Sequence, residues 1–335
     1  MTWFAFLASA ALIGAAGIFL TLYGDAIADK TGLGGSWVGL VLVASVTSLP
    51  ELVAGVSAVT LADAPEIAVG NILGACVLNL FTLAVIDILK KGKPLYSSAG
   101  TDHVLSAGLS IILLGTAGMG LVLAHIDALR GTGVVSLVSV LLGLLYFISV
   151  AVSHRYQKSH VTAFTDEQPD AYPHFSLRQV ASRYAAASCI VIAAGIWLPY
   201  STARLGQTLG WHEGFAGTIL AAFATTLPEV VVTLSALRLG AIDLAVGNLF
   251  GSNLFNLAIL AVDDLLYASG PLWAAVSPAH MVSVLSALTM TGTALVALFY
   301  RSPGRWWKRG DWPSLLLALL FIANTLLVHR MMRHG

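Results

Sequence analysis

Thr47-Ser-Leu-Pro-Glu51-Leu-Val-Ala-Gly-Val-Ser57-Ala58 returns 178 residues later as Thr225-Thr-Leu-Pro-Glu229-Val-Val-Val-Thr-Leu-Ser235-Ala236, with seven of twelve positions identical. A second stretch, Ala68-Val-Gly70-Asn71-Ile-Leu-Gly74-Ala-Cys-Val-Leu-Asn79, returns after 177 residues as Ala245-Val-Gly247-Asn248-Leu-Phe-Gly251-Ser-Asn-Leu-Phe-Asn256, with six of twelve identical. Leu, Val and Ala coincide readily by chance among apolar segments, whereas Thr, Pro, Glu, Gly and Asn together do not. The chain therefore consists of two related halves, and the fold depends on how many segments lie between the copies.

Working outward, 57% of the 335 residues are apolar, only 10% are charged, and mean hydropathy is +0.85. A soluble domain carries about 25% charged residues, so the surplus apolar surface here must face a lipid bilayer. Seventeen Lys and Arg balance seventeen Asp and Glu, which leaves no basic excess to attract nucleic acid. Cys76 and Cys189 are the only cysteines, and no disulfide framework or metal-binding cysteine motif is present.

A helix needs roughly 20 apolar residues to cross a bilayer, and ten such stretches are found. They run approximately over Trp3–Tyr23, Ser36–Leu61, Glu66–Leu89, His103–Ala124, Val134–Val152, Gln179–Thr202, Gly214–Leu237, Asp243–Leu266, Pro278–Tyr300 and Pro313–Val328. The first lacks a basic leader and runs into similar segments, so it reads as a retained helix. Cations are retained on the cytoplasmic side. With the N-terminus outside, thirteen of them fall inside (Lys30, Lys90, Lys91, Lys93, Arg155, Lys158, Arg178, Arg183, Arg238, Arg301, Arg305, Lys308 and Arg309). Only Arg130, Arg204, Arg330 and Arg333 fall outside. The expected organisation is a first five-helix repeat over 1–153, a cytoplasmic linker over 154–178 and a second repeat over 179–335. The linker contains His154, His160 and His174, and its composition is that of a solvated connection.

Five helices per half mean that the second half enters the membrane from the opposite side. The fold class is thus an all-α integral membrane protein of ten transmembrane helices in two inverted-topology repeats. Inverted repeats make transporters, with a site near the midplane exposed alternately to each side. The expected location is a multi-pass plasma (cell inner) membrane protein with both termini outside.

Glu51 and Glu229 lie near the centres of their spans, where a charge costs at least about 2.5–3.5 kcal/mol. No Lys or Arg lies at that depth, so the compensating charge is expected from a bound cation or proton. Thr47 and Thr225 each lie one turn before the Glu, on the same face. Pro50 and Pro228 lack an N–H and free the carbonyls of Val46 and Ala224. Carboxylate, hydroxyl and carbonyl oxygens suit Ca²⁺ or Na⁺; Ca²⁺ takes about six to eight of them. Asn79 and Asn256 project amide oxygens toward the same region, while Gly70, Gly74, Gly247 and Gly251 have the spacing of close helix packing. Asp63 and Glu66 fall in a short outer loop able to attract ions. Asp87, Asp263 and Asp264 lie near span ends, where interfacial solvation accounts for them. His103, His125 and His280, also near span ends, carry no specific signal.

The blocks T-S-L-P-E and G-N-x-x-G-S-N-x-x-N resemble the two alpha-repeats of the sodium/calcium exchanger family, within the cation/calcium antiporter superfamily, as a bacterial-type member. The resemblance covers both repeats, the five-plus-five topology and the chain length. It implies exchange of Ca²⁺ for Na⁺ by alternating access, with no cofactor and inorganic cations as the molecules handled. It also implies that Glu51 and Glu229 are shared ligands, with Thr47 and Thr225 as hydroxyl and carbonyl ligands and Ser48 and Thr226 flanking them. Ser252, Asn79 and Asn256, with the backbone oxygens of Ala44 and Ala222, would complete the cluster.

Three positions depart from the family pattern. The glycine before the Thr is Val46 in one half and Ala224 in the other. The serine of the first G-S-N block is replaced by Ala75, followed by Cys76. A position that is Asp in some members is Asn256, leaving two central carboxylates. Two carboxylates sharing a buried site titrate as a pair, which makes Ca²⁺/H⁺ or related cation/proton antiport the alternative. A membrane-embedded enzyme using the two Glu as acid and base lacks a nucleophile or metal motif. A passive channel would conduct without a counter-ion.

Overall fold

The computed structural model describes residues 2–126, 134–161, 172–209, 221–306 and 310–334. The first half comprises α1 (Thr2–Thr31), α2 in two parts (Gly35–Thr47 and Leu49–Thr60), α3 (Pro65–Leu89), α4 (Asp102–Ala124) and α5 (Val134–Val161). The second half repeats them as α6 (Leu177–Leu209), α7 in two parts (Ala222–Thr225 and Leu227–Leu239), α8 (Ile242–Leu266), α9 (His280–Tyr300) and α10 (Trp312–His334). The ten helices form the expected inverted repeats. The start of the seventh span, the 162–171 part of the linker, and Arg130, Lys308 and Arg309 lie outside the described residues.

Several helices outrun the apolar stretches that announce them. α1 continues from Tyr23 to Thr31, α5 reaches Val161 and α6 begins at Leu177. A helix satisfies its own backbone hydrogen bonds beyond the hydrocarbon as well as within it, so a hydropathy boundary does not end it. His154 belongs to one of these extensions and sets its ring against Trp37 at 5.4 Å between centroids.

Burial orders the bundle. In their most apolar windows α3 and α8 are 78% and 83% buried, against 28% for α5 and α10. The helices bearing the Gly-Asn blocks are therefore central. The first helix of each half crosses to the other half, since α1 packs along α6 and α7 while α6 packs on α2.

The approach of α8 to α2 depends on missing side chains. A Cβ on Gly247 would collide with the Ser36 carbonyl oxygen, and one on Gly251 with the Leu40 carbonyl oxygen. Reciprocally, a Cβ on Gly39 would stand 2.9 Å from the Asn248 backbone nitrogen. Val38–Val43 of α2 is a π-helical turn, and its widened backbone meets α8 across these contacts. The packing role read for Gly247 and Gly251 therefore holds.

α2 and α7 break at Ser48 (φ −89°, ψ 6°) and Thr226 (φ −77°, ψ −2°), each immediately before Leu-Pro-Glu. Pro50 and Pro228 fall in the first turn of the helix that resumes, where a missing N–H goes unneeded. The two parts of α2 meet at a bend of 41°.

The interfacial solvation expected of three aspartates does not hold, because the bundle covers them. Asp87 is buried, accepting bonds from the Leu95 N–H at 2.7 Å and Ser314 Oγ at 2.7 Å, with Arg305 Nη1 at 3.6 Å. Asp264 repeats part of this role by accepting from the Leu272 N–H at 2.6 Å. Asp263 is wholly buried and accepts no bond. Two histidines read as uninformative also prove to be structured. His103 on α4 pairs with Asp243 at the start of α8 (3.1 Å), and His280 on α9 pairs with Glu66 at the start of α3 (2.9 Å). The outer-loop Glu66 thus has partners, taking a further bond from the Ser277 N–H at 2.5 Å.

Candidate ion-binding site

The two breaks place Thr47, Ser48 and Glu51 of one half against Thr225, Thr226 and Glu229 of the other, and none of the six is exposed to solvent. Each first part ends in carbonyls, the negative pole of its helix. Each second part begins with the Glu in its first turn, at the positive pole, which favours an anionic side chain.

The hydrogen bonds cross between the halves. Ser48 Oγ donates to Glu229 Oε1 at 2.8 Å, and its repeat-mate Thr226 Oγ1 donates to Glu51 Oε1 at 3.2 Å. Thr47 Oγ1 lies 3.3 Å from Asn248 Oδ1, and Thr225 Oγ1 lies 3.0 Å from Asn71 Oδ1. The hydroxyls of Thr47, Ser48, Thr225 and Thr226 therefore all reach the opposite repeat. The backbone oxygens of Ala44 and Ala222 already accept the Ser48 and Thr226 N–H groups at 3.0 and 2.9 Å, with the Thr47 and Thr225 hydroxyls also near them at 3.3 and 3.4 Å, so an ion there would compete with those hydroxyls.

The groups left unsatisfied define what the site can do. Buried and without a hydrogen-bond partner are Glu51 Oε2, Glu229 Oε2, Asn79 Oδ1, Asn71 Nδ2, and both Oδ1 and Nδ2 of Asn256. Buried polar groups are nearly always paired in native proteins, and bare carboxylate oxygens in a membrane interior carry a large penalty. Four oxygens, two of them from carboxylates, thus await a cation or protons. Asn79 Nδ2 is occupied, donating to Asn253 Oδ1 at 3.0 Å.

Residues 1–154 and 184–329 match the family model described as sodium/calcium exchanger protein. The chain belongs to that family. Inner membrane protein YrbG of Escherichia coli is 27% identical over 224 residues, covering 67% of this chain and 66% of that protein. Sodium/calcium exchanger MaX1 of Methanosarcina acetivorans is 33% identical over 138 residues, covering 41% of this chain and 37% of that one. This chain thus spans 66% of the first relative's length and 37% of the second's. Among solved structures, the sodium-calcium exchanger NCX_Mj soaked with 10 mM Na⁺ and zero Ca²⁺ superposes with a TM-score of 0.72 at 19% identity, covering 96% of this chain and 97% of that one. That likeness is one of fold.

Within this exchanger-family fold, the departures noted in the sequence make the site unequal. Ser252 Oγ donates to Glu229 Oε1 at 3.3 Å, and its counterpart in the first half is Ala75, which has no hydroxyl to offer Glu51. Asn253 Nδ2 donates to the Cys76 carbonyl at 3.3 Å, bridging the halves beside the site. Sequence reasoning missed Asn71 and Asn248 as members of the polar cluster, although their duplication in the Gly-Asn blocks was the available signal. Both are buried, and Asn248 Nδ2 also reaches Thr233 Oγ1 at 3.2 Å.

Proposed function

We propose that this exchanger-family protein is a cation antiporter that moves Ca²⁺ against Na⁺ by alternating access. The observation that carries this reading is the set of unsatisfied oxygens on Glu51, Glu229, Asn79 and Asn256, gathered with Thr47, Ser48, Thr225, Thr226 and Ser252. Glu51 and Glu229 hold the transported ion, and the hydroxyls orient their first oxygens, leaving the second oxygens for the cargo. The carbonyls of Ala44 and Ala222 lie at the helix breaks beside them.

The mechanism is competition. Ca²⁺ or its counter-ions neutralise the same two carboxylates. A neutral site permits α1 and α6, which pack on the broken helices, to slide across it. An empty, doubly charged site resists crossing because its carboxylates would be sealed away from water. Both termini lie outside and the 154–178 connection lies in the cytoplasm, following the cation asymmetry. The two repeats, 1–153 and 179–335, each supply one sliding helix and one carboxylate. The organism's inner membrane is the expected location.

A specific observation supports a second reading, Ca²⁺/H⁺ exchange: Glu51 receives one side-chain hydroxyl where Glu229 receives two. Fewer oxygens beside Glu51 weaken a Na⁺ site more than they weaken a proton site. The test is Ca²⁺ uptake into proteoliposomes under an outward Na⁺ gradient, an outward H⁺ gradient, or neither. Uptake with Na⁺ establishes the first reading, uptake only with H⁺ the second, and equal uptake without a gradient removes antiport altogether.

A further inference from the structure

Asp263 is the one buried carboxylate among the described residues with neither oxygen hydrogen-bonded. It stands seven residues beyond Asn256 on α8, two turns along the same face and about 10 Å from it. Its carboxylate fills the space where residue 55 would carry a side chain. A Cβ on Gly55 would collide with Asp263 Oδ2 and stand 2.9 Å from Oδ1. Gly55 is itself one turn beyond Glu51, so Asp263 lies beside the ion site, toward the end of the bundle that the cation distribution assigns to the outside.

The inverted repeat shows that the fold does not require an acid here. The counterparts of Asp87 and Asp264 are each other, and both accept a backbone N–H eight residues on. The counterpart of Asp263 is Ile86, also buried. The counterpart of Gly55 is Thr233. An apolar residue thus serves the same packing position in one half, and the other half has placed a carboxyl there with a glycine opposite to admit it.

Other ionisable groups on the surrounding elements are committed elsewhere or distant. On α3, Glu66 is held by His280 and the Ser277 N–H, while Asp87 lies at the far end with Arg305. Asp264 is turned to the Leu272 N–H, and Asp63 is 3.4 Å from Ser269 Oγ. Asp102 and His103 of α4, and His154, Arg155 and Lys158 of α5, lie toward the opposite end, as does Arg238 of α7. Glu51 on α2 and Glu229 on α7 belong to the central site. His125, at the outer end of α4, is turned to the Leu121 carbonyl oxygen at 2.8 Å, so among the described residues no cation is placed to neutralise Asp263.

We propose that Asp263 is a proton-binding site separate from the Glu51–Glu229 pair, loaded while α2 and α8 are packed together and exchanging its proton with outside water when they part. The ligand is a proton because a lone carboxylate, with no second acidic or histidine side chain gathered around it, cannot replace the hydration shell of a metal ion. Ca²⁺ takes about six to eight oxygens, and no group of three or more His, Cys, Asp or Glu able to hold a metal occurs among the described residues. Opening the outer side wets the carboxyl, which then ionises and opposes reclosing. Acid outside therefore favours the closed packing and slows turnover, and alkaline outside favours opening. This coupling to transport rests on the antiport reading, whereas protonation of Asp263 does not.

The test combines infrared spectroscopy of the reconstituted full chain with flux. Wild type should show a protonated carboxyl C=O band that disappears in Asp263→Asn and persists in Glu51→Gln and Glu229→Gln. In proteoliposomes Asp263→Asn should keep Ca²⁺ flux while its dependence on external pH becomes shallower, with flux at alkaline external pH falling to the wild-type acid level. Asp263→Ile, which copies Ile86, should do the same and serves if the Asn variant fails to fold. An unchanged band in both variants, or a wild-type pH profile in both, overturns the proposal. Absence of flux in wild type overturns the antiport reading and leaves the infrared result to stand alone.

Discussion

Glu51 and Glu229 occupy equivalent places in the two halves, but their surroundings differ. Glu229 Oε1 accepts from Ser48 at 2.8 Å and Ser252 at 3.3 Å, whereas Glu51 Oε1 accepts from Thr226 at 3.2 Å. What the halves share is the crossed frame, in which each half's hydroxyl reaches the other half's carboxylate. What they do not share is Ser252 against Ala75, Asn253 against Cys76, and Asp263 against Ile86. The duplicated part holds charge at the midplane. The part present once makes the two carboxylates unequal, because Ser252 adds a hydroxyl to Glu229 that Ala75 does not add to Glu51, and under the antiport proposal this is the place to look for a preference between Na⁺ and protons.

The largest expected effect tests the shared part. Glu51→Gln and Glu229→Gln should each reduce gradient-driven Ca²⁺ uptake below detection, since one remaining carboxylate cannot neutralise a divalent ion. Uptake near the wild-type level in either variant would mean that the halves are not equivalent even in charge.

A smaller change tests the unequal part. Hydrogen bonds to charged groups contribute about 1.5–3 kcal/mol, so Ser252→Ala, which gives Glu229 the surroundings of Glu51, should raise the Na⁺ concentration for half-maximal exchange by roughly tenfold or more. Ala75→Ser should shift it the other way by a lesser amount, as the new hydroxyl must find its rotamer in a fully buried position. Na⁺ titrations of flux read both. Identical curves would locate the asymmetry elsewhere, with Asp263 the next candidate.

The smallest effects concern the ends. His103–Asp243 and His280–Glu66 are repeat-related and each links the two halves. The Glu66 side chain is 21% exposed and that of Asp243 44%, so the first is less screened by solvent. His280→Gln should therefore lower the thermal midpoint in detergent more than His103→Gln, each by a free energy of about 1–2 kcal/mol. The reverse order would show that Ser36, 3.4 Å from His103, matters more than solvent screening.

Much of the fold was legible. Ten apolar stretches of adequate length and a displaced motif pair imply five-plus-five topology without any tertiary information, because hydropathy and repetition are properties of the chain itself. Glu51 and Glu229 were legible for a similar reason: an acid in an apolar run has no local explanation. Helix ends were less so, since α1, α5 and α6 continue in polar residues where hydropathy gives no stop. Asp263 was misread because distance from the end of a helix says nothing about what covers it. His103 and His280 were overlooked since their partners lie 140 and 214 residues away.

The sequence by itself determined that this chain is a membrane protein of two inverted repeats with a carboxylate at the heart of each, and that prolines break the helices carrying them. Only the tertiary structure decided which oxygens meet. The crossed pairs Ser48–Glu229 and Thr226–Glu51, the recruitment of Asn71 and Asn248, and the seclusion of Asp263 against Gly55 all depend on how closely helices approach. On α2 and α8 that approach is set by glycines whose missing Cβ atoms let backbone touch backbone. Periodicity assigns each residue a face on its own helix, but the facing residue on another helix is fixed by these close contacts, which couple positions more than half the chain apart.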